Sequence, residues 1–181
     1  MIDYGSFLFA APPLSGAAWF VRACEFAEVR RRNPRGRDPA SEVWGPFADA
    51  QGRLKVSVVR NPCDWLADLW VDQEPEGEFT SDVLNDTFTG FVHRYLRRIP
   101  GAVGRTFLGY RADTYLRIED CPLAMVMLLL TVAPGSDYRS PFFNERVGSL
   151  GPGWPSLSLD VDLRREVIEA ERTMVDEFDY R

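Results

Sequence analysis

Apolar positions along the chain change their period several times, and each change marks the limit of one element. Phe7-Leu8-Phe9-Ala10-Ala11 is a continuous apolar run closed by Pro12-Pro13, the pattern of a buried parallel strand running into a loop. Behind Ser15-Gly16, the residues Trp19, Phe20, Ala23, Cys24, Phe26 and Ala27 recur at helical spacing. They predict a helix from Ala17 to Arg32 opened by a glycine-bearing loop. Pro34, Gly36 and Pro39 mark 33–45 as loop. Leu54 to Val59 (LKVSVV) predicts a second strand, and Pro62, allowed in a first helical turn, opens a helix reaching Val71.

Residues 75–79 are polar and turn-rich, a loop able to cover a site. Leu84, Phe88, Phe91, Val92 and Leu96 draw an apolar stripe along an amphipathic helix from Asp82 to Arg98, stopped by Pro100-Gly101. A helix around Val103 to Tyr110, a strand over Thr114 to Ile118 and a strongly apolar helix over Cys121 to Val132 follow. Ala133 to Pro155, rich in Gly, Pro and Ser, reads as irregular chain. Leu163, Val167, Ile168, Met174, Val175 and Phe178 place a terminal helix over Asp160 to Tyr180. Strands alternating with helices predict an α/β chain with a central parallel sheet flanked by helices.

With 181 residues, 45% of them hydrophobic, the chain suffices for one sizeable core and is too short to expect two, so a single domain over 1–181 is expected. The longest apolar run, Leu123 to Ala133, falls short of the roughly 18 residues of a membrane span. Asp3, with no basic residue before Phe7, argues against a signal peptide and for the cytoplasm. A net charge of -6 disfavours nucleic acid as a partner. Cys24, Cys63 and Cys121 are odd in number and widely spaced, which suggests buried thiols rather than disulfides or a zinc site. Lys55 is the single lysine against twenty arginines, so little lysine is left for chemistry.

Two segments carry candidate chemistry. Pro13-Leu14-Ser15-Gly16-Ala17-Ala18-Trp19 lies where a strand passes through a tight loop into a helix. Unpaired main-chain N–H groups and the helix dipole favour an anion there. It lacks the GxxxxGK[ST] pattern of ordinary ATPases and GTPases. Arg60, in Val58-Val59-Arg60-Asn61-Pro62-Cys63-Asp64, stands at the C-terminal end of a buried strand, the edge where open α/β sheets bind ligands. Its fork of donors suits a phosphate, although a carboxylate such as Asp64 would also hold it.

Together these segments resemble the sulfotransferase family, whose first loop reads PKSGTTW and whose next strand ends in RNPxDxxxS. Leu116-Arg117-Ile118-Glu119-Asp120 is similar to that family's RYED signature, Arg146-Val147-Gly148-Ser149-Leu150-Gly151 to its RKGxxG loop, and Glu177-Phe178-Asp179-Tyr180 to its terminal helix. The resemblance covers nearly the whole chain. It implies a three-layer P-loop-type fold and transfer of sulfate from 3′-phosphoadenosine 5′-phosphosulfate (PAPS) to a hydroxyl or amine of a small-molecule or glycan acceptor. It further implies that Ser15, Gly16, Ala17, Ala18 and Trp19 hold the 5′-phosphosulfate, with Trp19 by the adenine. Arg60 would grip the 3′-phosphate, joined by Arg146 and the backbone at Gly148.

The chain departs from that pattern at the loop cation, which is Leu14, at the following hydroxyls, which are Ala17 and Ala18, and at the serine eight residues after Arg60, which is Asp68. Losing one such electrostatic donor commonly costs about 10²- to 10³-fold in rate. The second expectation is therefore a catalytically degenerate binding or scaffolding module. His93, the sole histidine, is the candidate general base, with Glu25 and Glu42 as alternatives. Arg30-Arg31-Arg32, Arg35 and Arg37 form either a solvated helix end or an attractor of anionic acceptors. Trp65, Leu69 and Trp70 read as core.

Overall fold

The computed structural model describes residues 1–32, 47, 52–72, 87–136 and 159–180. Their packing resolves into two compact units: Met1–Arg60 with Phe107–Ser149, and Asn61–Thr106 with Leu150–Arg181.

The first unit is built on a four-stranded sheet, β1 (Ile2–Asp3), β2 (Phe7–Phe9), β3 (Leu54–Val59) and β4 (Thr114–Arg117), ordered β1-β2-β3-β4. The expected parallel sheet is present: β2 pairs parallel with β3, and β3 with β4, in a register that sets Phe9 beside Val56 and Val58 beside Leu116. Phe7, Leu8 and Phe9 are fully buried, as a strand covered on both faces requires. β1 was not anticipated; it adds an antiparallel edge in which Ile2 lies beside Phe9. Gly5, at φ 83, makes the turn between β1 and β2, and its N–H is accepted by Asp3 Oδ1 at 2.7 Å.

Helix α1 (Ala17–Phe26) covers the sheet with Phe20, whose ring stacks on Phe9 at 3.8 Å and meets Phe7 edge-on at 6.2 Å. It ends well short of the expected Arg32. Glu28 turns into the left-handed region at φ 57, and the N–H of Val29 bonds back to Cys24 O at 2.9 Å, the reverse turn that closes a helix. Arg31 then pairs with Glu25, and Arg32 N–H reaches Asp3 O at 2.8 Å. The local apolar period continues to Val29, but tertiary bonds to β1 decide where the helix stops.

The second unit is helical: α2 (Pro62–Asp72), α3 (Phe88–Arg98), the start of α4 (Ala102–Leu108), α6 (Val161–Ala170) and α7 (Arg172–Glu177). Leu66, Phe91, Val92, Leu163 and Val167 are among its buried residues, and the Trp70 ring lies 5.5 Å from Phe91 and 6.5 Å from Phe88. Trp70, expected as core with Trp65 and Leu69, is like them only half-buried, and its ring packs at the edge of the buried set. α3 starts at Phe88 because the Thr87 hydroxyl accepts from Gly90 N–H at 3.1 Å, a cap that sets the first turn; residues 82–86 lie outside the described set. The single terminal helix expected over Asp160–Tyr180 is instead two, broken at Glu171, whose side chain is buried. α5 (Leu123–Val132), in the first unit, follows a 3₁₀ turn at Ile118–Asp120, so β4 stops at Arg117 rather than Ile118.

Candidate functional site

β2 hands the chain to α1 through a loop tied to β3 by a main-chain bond and braced internally by one hydroxyl. Ala10 N–H bonds to Val56 O at 3.2 Å, and the buried Ser15 Oγ donates to Pro12 O at 2.6 Å. Leu14 (φ 60) and Gly16 (φ 93, ψ 13) are left-handed, and Ser15 between them is not. Alternation of that kind turns successive N–H groups toward one side and makes an anion-binding concavity. Only glycine serves at position 16: a Cβ there would lie 2.6 Å from the Ile118 side chain. Helix α1 then begins on Gly16 with no side-chain cap and no acidic residue in its first turn. The positive end of its dipole is therefore not offset by a carboxylate in that turn.

Arg60 leaves the end of β3 toward this loop, its Nη1 donating to Leu14 O at 3.5 Å. At that length the bond is weak, but it shows the direction of the guanidinium. Ser15, Gly16, Ala17, Ala18 and Arg60 are thus gathered in one unit. Ala18 is exposed at the helix start, while Trp19 is half-buried and packs against the core. Asp68 on α2 and His93 on α3 belong to the other unit; His93 is half-buried, and its carbonyl accepts from Arg97 Nε at 3.3 Å. Arg146 and Gly148, with Arg35, Arg37 and Glu42, lie outside the described residues. Glu25 is engaged with Arg31.

The three parallel strands follow one another in chain order. Among the described strands the order never reverses, so the crevice that such a reversal opens is not formed there. Two features of the loop escaped sequence reasoning: the left-handed Leu14 and the approach of Ile118 to Gly16. Neither has a local signature, since leucine is not a left-handed former and Ile118 lies about a hundred residues downstream.

The thiols contribute no nucleophile. Burial pushes Cys24 and Cys121 up to about 12 and Cys63 up to about 11, and all three are free and buried, as expected. Among the described residues no cluster of His, Cys, Asp or Glu could hold a metal ion, and no helix is long and apolar enough to cross a membrane. A cleft of about 600 Å³ opens at the other end of β2, lined in part by Tyr4, Gly5, Arg30, Arg32, Val132 and Ala133. Comparison of the chain with family models, with curated proteins and with solved structures finds no match.

Proposed function

We propose that the chain is a sulfotransferase-like protein of the three-layer P-loop type that holds a 3′-phosphoadenosine nucleotide, PAPS or its bisphosphate product. One observation carries the reading: a loop of alternating left-handed residues opens an uncapped helix, and the Arg60 guanidinium is directed at that loop. The N–H groups from Ser15 to Trp19 would take the 5′-phosphate end and Arg60 the 3′-phosphate, which ATP lacks. Arg146, Gly148 and Asp68 belong to the same reading as the remaining nucleotide contacts, and His93 as the acceptor base. The reading puts the protein in the cytoplasm, where three unpaired cysteines stay reduced.

A second reading follows from Leu14. It stands where the family carries a cation, and its side chain is apolar, so the loop offers no cationic side chain to the charge developing on a transferred sulfuryl group. The site then binds nucleotide without transfer.

A thermal-shift titration with adenosine 3′,5′-bisphosphate, AMP and ATP tests the binding claim. At a hundredfold excess over the dissociation constant a bound ligand stabilises by about 2.7 kcal/mol. The expected result is stabilisation by the bisphosphate alone, abolished in Arg60→Ala. Equal shifts for all three nucleotides, or none, would remove the donor site and both readings with it.

A further inference from the structure

The cleft at the end of β2 remote from the Arg60 loop lies wholly within the first unit. Its volume of about 600 Å³ falls in the range of roughly 300–1,000 Å³ that small-molecule sites occupy. Three segments meet there: the β1–β2 turn, the chain leaving α1 and the chain leaving α5. Each contains a left-handed residue, Gly5 at φ 83, Glu28 at φ 57 and Gly135 at φ 107. Tyr4 and Ala27 are buried and Val29, Val132 and Ala133 half-buried, so part of the lining is apolar and already shielded from water.

The polar lining is of two kinds. Arg30 and Arg32, both exposed, line the cleft, whereas Arg31 between them pairs with Glu25. Arg30 has no ion-pair partner among the described residues. Arg32 is placed by its N–H bond to Asp3 O at 2.8 Å, and its Nε lies 3.3 Å from where a Cβ on Gly5 would stand. Asp3, whose charge Arg32 feels, is itself bonded to Arg53 at 2.6 Å and to the Gly5 N–H. Arg32 thus keeps donors for a ligand. Acceptors stand against these donors. α1 and α5 both end at the cleft, through Ala27 and through Val132 and Ala133. Last-turn carbonyls point past a helix end and carry roughly half a negative charge per helix. Pro134 has no N–H to return to α5, and Glu28 adds a carboxylate.

Two guanidinium groups thus face one carboxylate and two helix ends, which comes close to balance. A polyanion would meet too little surplus charge, and a simple cation would meet the arginines. A molecule with one anionic group, one cationic group and an apolar body uses the whole lining. We propose that this cleft binds a free α-amino acid with an apolar side chain. Its carboxylate takes the forked donors of Arg30 and Arg32, and its ammonium donates to Glu28 and the helix-end carbonyls. Its side chain lies on Tyr4, Val29 and Val132. The site is at the opposite edge of the sheet from the nucleotide loop and does not depend on that reading.

Calorimetric titration of the full chain with L-leucine, L-phenylalanine, glycine, N-acetyl-L-leucine and L-leucinamide, each to about 10 mM, tests this. Leucine is expected to bind at least about tenfold more tightly than glycine, which lacks the apolar body, and than the acetylated and amidated forms, which each lack one charge. Arg30→Gln and Glu28→Gln should each weaken leucine about tenfold, equivalent to about 1.4 kcal/mol. Both residues are exposed, so melting of these variants should match the parent. In a nitrogen-15 NMR titration the amide signals of Gly5, Arg30 and Gly135 should move with leucine. Absence of binding by both leucine and phenylalanine overturns the proposal, as do signals that move only elsewhere. Equal binding of N-acetyl-leucine would make this an anion site, equal binding of leucinamide a cation site, and equal binding of glycine would remove the apolar contact; each overturns the proposal as stated.

Discussion

Two helix starts in this molecule meet the same physical problem in opposite ways. Helix α4 begins at Ala102, and its first N–H groups are satisfied by buried side chains: Val103 N–H bonds to Tyr95 Oη at 2.9 Å and Gly104 N–H to Glu171 Oε2 at 2.8 Å. Tyr95 Oη in turn donates to Glu171 Oε1 at 2.6 Å. The protein's own carboxylate thus sits where an external anion would otherwise be welcome, and it is 1% exposed. Helix α1 begins at Ala17 with no side-chain cap at all. A helix start closed internally is architecture; one that is left without a side chain, beside a left-handed loop and an arginine, is suited to a ligand.

The closed start should be the more costly to damage. Glu171→Ala removes both acceptors and leaves the Gly104 N–H and the Tyr95 hydroxyl to find partners in a dry site. Hydrogen bonds to a charged group are worth about 1.5–3 kcal/mol each, so a stability loss of at least about 3 kcal/mol is expected in urea unfolding. Glu171→Gln, which keeps two polar atoms in place, should cost less than half of that. A loss under about 1 kcal/mol for the alanine variant would mean that the carboxylate does not close α4.

At the open start the sensitive position is Gly16. An alanine there meets Ile118 at 2.6 Å and must hold φ near 93. The left-handed conformation alone costs a non-glycine residue about 1–2 kcal/mol, and displacing Ile118 adds to it. Gly16→Ala is expected to lose about 2 kcal/mol in the same unfolding experiment and to abolish the bisphosphate-specific thermal shift. Retained shift with lost stability would show that Gly16 serves packing only, and would break the contrast with α4.

Much of this was legible from sequence, and what was not has a common cause. β3 falls on Leu54–Val59 as expected, because Val56 to Val59 are buried on both faces and the run needs no partner to be recognised. Ser15, Gly16 and Arg60 were also readable, as a strand–loop–helix junction and a strand-end arginine. The break between α6 and α7 was not. Glu171 sits in an unbroken helical period, and its burial is decided by Tyr95 and Gly104, 76 and 67 residues away in sequence. The early end of α1 and the two-residue β1 depend in the same way on bonds between distant segments. His93 and Asp68, nominated by residue type and spacing, lie in the helical unit, whereas Ser15, Gly16 and Arg60 lie in the unit of the sheet.

The smallest effect expected is also the one that most directly asks what the α1 start is for. Leu14 already holds φ 60, a conformation that penalises any non-glycine side chain, so exchanging leucine for lysine leaves the backbone cost unchanged. Stability should move by less than about 0.5 kcal/mol, as for most half-exposed substitutions. If the loop is an anion cradle, Leu14→Lys adds a cation beside it. Bisphosphate affinity should then rise about tenfold by titration calorimetry at low salt, the equivalent of about 1.4 kcal/mol. The gain should shrink as salt is added, because a half-exposed charge is screened. If the left-handed loop exists only to let Ile118 pack on Gly16, the lysine has nothing to attract and affinity stays where it was. The same single substitution therefore separates a loop shaped for a ligand from a loop shaped for its own core.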